Sequence, residues 1–159
     1  MIDVGPARSS YQLAAVIRRS PADAFAYLSD LRHELEWNPA ARRIVKLTDG
    51  AVGVGTRFQA EWRNAPRTIV EVVRHEPPRL WQTSSRSWGM DVLFTGELSS
   101  EEAGTRYTAR LEVSAGGVAR LLLPFAVRAM RRQDEEHMRR IVRALERGEP
   151  ASARAATDV

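Results

Sequence analysis

The sequence predicts an α+β fold: one antiparallel sheet, two short helices after its first strand and one long helix after its last. Three observations predict it. From Arg42 to Ser114 apolar residues recur with period two, and turn signals separate the runs without an intervening helix. Beyond Gly116-Gly117 the apolar spacing changes to that of a helix. Near the N-terminus, Ser20-Pro21-Ala22-Asp23 carries the chemistry of a helix start.

The elements follow in order. Tyr11 to Arg18 reads as the first strand. Ser20 then caps free N–H groups, Pro21 loses nothing at the first helical position, and Asp23 suits the positive end of the helix. Ala24, Phe25 and Leu28 give that helix an apolar face. A second helical piece, Leu31 to Glu36, stops at Trp37-Asn38-Pro39, because a residue before proline is pushed out of the helical region. In the strand region Phe58, Ala60 and Trp62 share one face. So do Met90, Val92, Phe94, Gly96 and Leu98, and then Tyr107, Ala109, Leu111 and Val113. Asp49-Gly50, Gly53-Val54-Gly55, Asn64-Ala65-Pro66, Pro77-Pro78, Ser87-Trp88-Gly89 and Glu102-Ala103-Gly104 are the turns. Strands that follow one another directly pair antiparallel, with one face dry and one wet. The last helix begins near Val118 or after Pro124 and runs to about Arg147, with Val127, Met130, Met138, Ile141 and Leu145 as its stripe, interrupted by Asp134. Residues 1–10 and 148–159 read as tails around a single domain, 11–147.

Composition narrows the function classes. The 159 residues contain no cysteine, which removes disulfides, thiolate nucleophiles and cysteine-ligated metals. The longest apolar run, Leu121 to Val127, is far shorter than the ~20 residues of a spanning helix. No basic stretch followed by an apolar core opens the chain, so the expectation is a cytoplasmic protein. Net charge is only +4, yet the pI is 10.3, because Lys46 is the one lysine among 24 basic residues and arginine stays charged at high pH. Acids alternate with most arginines, as in Arg131-Arg132-Gln133-Asp134-Glu135-Glu136, which fits a solvated helix face, and no DNA partner is expected.

The order of elements, with Ser20-Pro21-Ala22-Asp23-Ala24-Phe25, the Trp37-Asn38-Pro39 corner and Gly53-Val54-Gly55-Thr56-Arg57-Phe58, resembles the START-like superfamily in its polyketide cyclase/dehydrase branch. Glu71-Val72-Val73 through Glu76-Pro77-Pro78, and Gly104-Thr105, complete the likeness, which covers Tyr11 to Glu146. The resemblance implies a helix-grip: a curved sheet wrapped around the last helix, with an apolar cavity between them. Members include cyclases and dehydratases acting on aromatic polyketides, lipid and hormone carriers, quinone-binding proteins and interaction modules, so the fold does not choose an activity.

Inward aromatics then become candidate cavity walls: Trp37, Phe58, Trp62, Phe94, Tyr107 and Phe125, with Met90, Leu111 and Met130 beside them and Asn38 and Gln82 as inward polar groups. Trp88 falls in a turn and Trp81 is left out as a candidate for the outer face. Trp62 and Phe125 are expected to face each other across a planar ligand. His33, His75 and His137 lie on three separate elements, and none belongs to a metal-binding pattern, so neither a metal nor another cofactor is expected. No catalytic residue is assigned; Tyr107, Gln82, Asn38 and Arg128 are the polar groups within reach of a pocket. The reading is a domain that binds a hydrophobic, planar or polycyclic small molecule. The alternatives are a cofactor-independent polyketide cyclase or dehydratase and, third, an arginine-faced module for protein or RNA. An acid/base pair in the pocket would favour the enzyme and an all-apolar pocket the carrier. Oligomeric state is not legible.

Overall fold

The computed structural model describes residues 5–148. Seven strands form one antiparallel sheet: β1 (Ala7–Ile17), β2 (Ala41–Lys46), β3 (Arg57–Trp62), β4 (Thr68–Glu76), β5 (Leu80–Ser87), β6 (Met90–Glu101) and β7 (Gly104–Ala115). The helices are α1 (Pro21–Leu28), α2 (Glu34–Trp37) and α3 (Ala119–Arg147), with a 3-10 turn, Leu31–His33, ahead of α2. The spatial order is β1-β7-β6-β5-β4-β3-β2, so consecutive strands from β2 to β7 are neighbours and β1 closes the far edge against β7. The fold is the expected α+β helix-grip.

Local chemistry explains most boundaries. Ser20 is extended and its side chain accepts from the Asp23 N–H, with Pro21 in the first helical position. Asn38 ends α2 at φ −99° and ψ 104°, the extended backbone that Pro39 demands. Register shifts in β2 between Ala41 and Arg43, and in β4 between Val72 and Arg74, are places where an extra residue bends a strand. Gly104 has φ +138°, and a Cβ there would lie 2.2 Å from the Ile17 carbonyl, so the start of β7 lies against the end of β1 where only glycine fits.

One boundary differs from expectation. β1 begins at Ala7, so residues taken as tail pair with Glu112 to Ala115 of β7. Backbone pairing needs no apolar pattern, and the polar Arg8-Ser9-Ser10 gave none. The tail from residue 149 onward lies outside the described residues. Of the two expected starts of the last helix the earlier one holds: it begins at Ala119 and carries Pro124 within it, where the missing N–H leaves only the Arg120 carbonyl without its intrahelical donor. Its far end is held by Arg19, whose Nε donates to the Leu145 carbonyl at 2.7 Å and whose Nη2 reaches the Gly148 carbonyl, a cation on the negative end of the helix.

Three apolar clusters fill the space between helix and sheet. One joins Ile17, Phe25, Trp81, Leu98 and Tyr107 to Met138, Ile141 and Leu145. A second packs Tyr11, Val113 and Ala115 on Leu123 and Val127. The third, Ile44, Phe58, Ala60, Val70 and Val72, lies toward β2 and does not include α3. No described helix is long and apolar enough to cross a membrane.

Candidate functional site

α3 packs mainly on β1 and β7, and the buried cluster of Ile44, Phe58, Ala60 and Val72 fills the inner face toward β2. Between these packed regions lies a cavity of about 460 Å³, bounded by the inner faces of β5, β6 and β7, by Tyr11 and Leu13 of β1, by Trp62 of β3, by α2 and by the middle of α3. Its size is in the range of small-molecule sites. Trp37, Trp62, Phe94, Tyr107, Leu111 and Met130 line it, as does Asn38.

Other candidates lie elsewhere. Phe58 shares the inner face with Trp62 but is fully buried in the third cluster, where Ile44 and Val72 close the space around it. Met90, at the start of β6, packs into the second cluster under Leu123 and Val127. Gln82 alternates with the inward Trp81 and Thr83 and donates to Thr95 Oγ1 at 3.0 Å, on the outer face. Phe125 is 75% exposed, which removes the expected Trp62–Phe125 sandwich. Leu123 and Val127 take the inward positions, and a residue two along from Leu123 turns about 200° away. Arg128 is exposed as well.

Trp81 points inward instead. It is 3% exposed, stacks on Tyr107 at 6.0 Å and 11°, and meets Phe25 edge-on at 5.6 Å. The indole fits because it lies over Gly96, its cross-strand partner: a Cβ at Gly96 would stand 2.3 Å from the ring. The glycine in an otherwise alternating strand was the signal for it.

The cavity also holds charge that sequence reasoning did not collect. Glu34, from α2, lines it and is buried. Trp62 Nε1 donates to its Oε1 at 2.6 Å, and Asn38 Nδ2 donates to the same oxygen. Neither bond uses Oε2. Burial raises this carboxyl above its ordinary range, while the Trp62 and Asn38 hydrogen bonds and His137 oppose the rise in part. Across from it, α3 presents Asp134 and His137. Asp134 Oδ1 stands 3.4 Å from His137 Nδ1, and Oδ2 accepts from the Tyr11 hydroxyl. The His137 ring meets Trp37 edge-on at 5.3 Å. A proton on Nδ1 therefore faces a carboxylate, and Nε2 is the nitrogen left to accept one. Burial, with Asp134 adding to it, pushes both tyrosine hydroxyls upward, so Tyr11 and Tyr107 remain neutral donors. The Tyr107 hydroxyl makes no hydrogen bond to a described residue.

The signal for Asp134 was its place in the α3 stripe. Four residues after Met130 and four before Met138, it lies on the inward face, with His137 one turn on. His33 also lines the cavity, stacked on Tyr27 at 4.5 Å with Nδ1 2.7 Å from the Tyr27 carbonyl. His75 is placed against Phe25, and burial lowers its pKa. Among the described residues no three His, Cys, Asp or Glu side chains are grouped to hold a metal ion.

A helix-grip domain with an aromatic-walled cavity and a carboxyl–imidazole cluster at one side is the class that fold and site define. Residues 9–146 match the polyketide cyclase/dehydrase and lipid transport family, and the chain belongs to it. No curated protein matches it in sequence. Among solved structures, the di-domain ARO/CYC StfQ from the steffimycin biosynthetic pathway is similar over 94% of this chain and 52% of its own, with TM-score 0.71 and 14% identity. Protein MLL2253 from Mesorhizobium loti aligns over 89% and 99% (TM-score 0.68, 16% identity), and Ara h 8.0201 over 87% and 98% (TM-score 0.67, 14% identity). At such identities these three share the fold.

Proposed function

We propose that the domain binds a planar, hydrophobic small molecule bearing oxygen substituents in the cavity between sheet and α3. The observation that carries this reading is the cavity's composition. Trp37, Trp62, Trp81 and Phe94 offer ring faces and edges, while the Tyr107 hydroxyl, Glu34 Oε2 and His137 supply polar groups at fixed places. Titration with an anthraquinone, read by tryptophan emission in a Trp88→Phe background, tests it. Trp88 is exposed, so removing it leaves the three cavity indoles as reporters. Saturable quenching that Trp62→Ala weakens is expected. No response from folded protein refutes the reading, and mass spectrometry of the molecule retained through native purification identifies the natural ligand.

A second reading, a cofactor-independent cyclase or dehydratase, is favoured by one observation. Glu34, biased toward its protonated form, shares the pocket with an imidazole whose other nitrogen faces Asp134. In a β-hydroxy ketone, His137 Nε2 would take the proton α to the carbonyl as Glu34 protonates the departing hydroxyl. The C–O bond breaks, the C=C bond forms and water leaves; proton return from His137 to Glu34 through solvent restores the site. Turnover of a polycyclic β-hydroxy ketone, lost in Glu34→Gln and His137→Ala while anthraquinone binding persists, is the expected result. Equal turnover in both variants rules it out.

A further inference from the structure

We propose that the first half of α3 and the β5–β6 turn form a docking surface for an anionic lipid bilayer. The proposal is independent of what the cavity holds.

Exposed large apolar side chains gather there. On α3, Leu121, Leu122 and Phe125 are 68%, 63% and 75% exposed, and Val118 precedes them at 78%. Trp88, at the tip of the neighbouring turn, is 68% exposed and held at φ +56°. The two pieces adjoin, since a Cβ at Gly89 would lie 3.7 Å from the Ala119 Cβ. Single exposed apolar residues are ordinary; five at one end of a molecule, two of them aromatic, mark an interaction site. They are not spare core positions, because Leu123 and Val127 already fill the inward side of the same turns. Side chains exposed this far, on a helix end and a turn tip, make a projecting wedge rather than a groove for a peptide.

Charge selects the occupant. From Ala119 to Gln133 the helix carries Arg120, Arg128, Arg131 and Arg132 and no acid; its acids begin at Asp134. Among the described residues, Arg120, Arg128 and Arg132 have no acidic partner, whereas Arg139, Arg140 and Arg143 converge on Glu136. A second copy docked on this face through a two-fold axis would set arginines against arginines. An anionic bilayer meets both halves of the surface. Trp88, Phe125 and the leucines enter the acyl boundary, and Arg128 and Arg132, about 4.5 and 10 Å along the helix from Phe125, sit at headgroup depth. Met130, a cavity-lining residue, is only about 7.5 Å from Phe125 along the same axis, so docking holds the pocket beside the membrane.

Flotation with phosphatidylcholine vesicles, with and without phosphatidylglycerol, tests this on the full chain. Binding is expected only with phosphatidylglycerol, with a blue shift of Trp88 emission and release at high salt. Phe125→Ser should lower partitioning about tenfold or more, from the apolar area it withdraws. Arg128→Gln and Arg132→Gln should each lower it about fivefold. These exposed positions leave thermal stability as a folding control. Absence of flotation at low salt by folded protein overturns the proposal, as does wild-type partitioning by the three variants. A concentration-dependent dimer that Phe125→Ser dissolves would assign the surface to a second copy instead.

Discussion

Replacing Gly96 with alanine should push the cavity wall into the cavity. The added Cβ would stand 2.3, 2.4 and 2.6 Å from Cζ2, Cη2 and Cε2 of Trp81. Carbon atoms prefer about 3.5–4.0 Å, so the indole must retreat by about 1 Å or more. It is rigid and the sheet lies beneath it, so it moves away from the β6 backbone, toward Phe25 and the open space, and loosens its stack on Tyr107. Overpacking of this kind costs about 1–3 kcal/mol. At about 2–4 °C per kcal/mol for a chain of this size, Tm falls by roughly 2–12 °C. The same displacement removes ligand space, so anthraquinone affinity should fall with stability. The control is a double-mutant cycle: in a Trp81→Leu background the alanine meets a smaller, flexible side chain, and most of its cost disappears. Differential scanning calorimetry and urea titration supply the four values. If Gly96→Ala leaves Tm, near-UV circular dichroism and anthraquinone affinity unchanged, the indole does not lie over Gly96 and the derivation of this wall is wrong.

Ile141→Asp places a charge among Tyr107, Trp81 and Leu145, where Ile141 is buried; a loss of about 4 kcal/mol or more is expected in urea unfolding, and wild-type stability would mean that α3 does not dock. Ser20→Ala removes the acceptor for the Asp23 N–H and should cost about 1 kcal/mol by the same measurement. Glu34 holds its proton more tightly folded than unfolded. Stability should therefore decline as pH rises from the ordinary carboxylate range, about 4–5, toward the raised folded value, by up to about 1.4 kcal/mol per pH unit. Glu34→Gln keeps an oxygen for Trp62 and Asn38 and should flatten that decline, as read from urea midpoints across pH; an unchanged profile would show that Glu34 does not ionise in a dry site.

The fold was legible because its punctuation is local. Ser20 and Pro21 start a helix by capping and fixed φ, and Pro39 ends one by a steric clash. The period-two runs of β3, β6 and β7 are each half-buried, so the alternation is clean. β1 was shortened because its first four residues, Ala7-Arg8-Ser9-Ser10, are held by backbone pairing with β7 and carry no apolar signature. β5 was misread for a related reason. Trp81, Thr83 and Ser85 point inward, but Thr83 and Ser85 border a cavity rather than a packed core, so the inward face is polar after its first residue and the alternation vanishes.

The site was legible only where apolar pattern and cavity coincide. Period two assigns a face to Phe58, Met90 and Trp62 alike, yet it is silent on whether the facing space is filled, and filled clusters claim Phe58 and Met90. Glu34, Asp134 and His137 lie far apart in sequence, and each looks like a solvated helix charge until α2 and α3 are set across from one another. Asp134 shows how such a residue can be recognised beforehand. An acid at a helix position whose i−4 and i+4 neighbours are buried or half-buried methionines cannot reach bulk water from an ordinary packed interface. Either the helix fails to pack there or the acid faces a space that is not core. Here α3 packs on both sides of it, through Val127 and Ile141, so the second alternative holds. The interruption in the stripe marks where the cavity touches the helix, and the polar residue placed there by the helical repeat is part of the cavity wall.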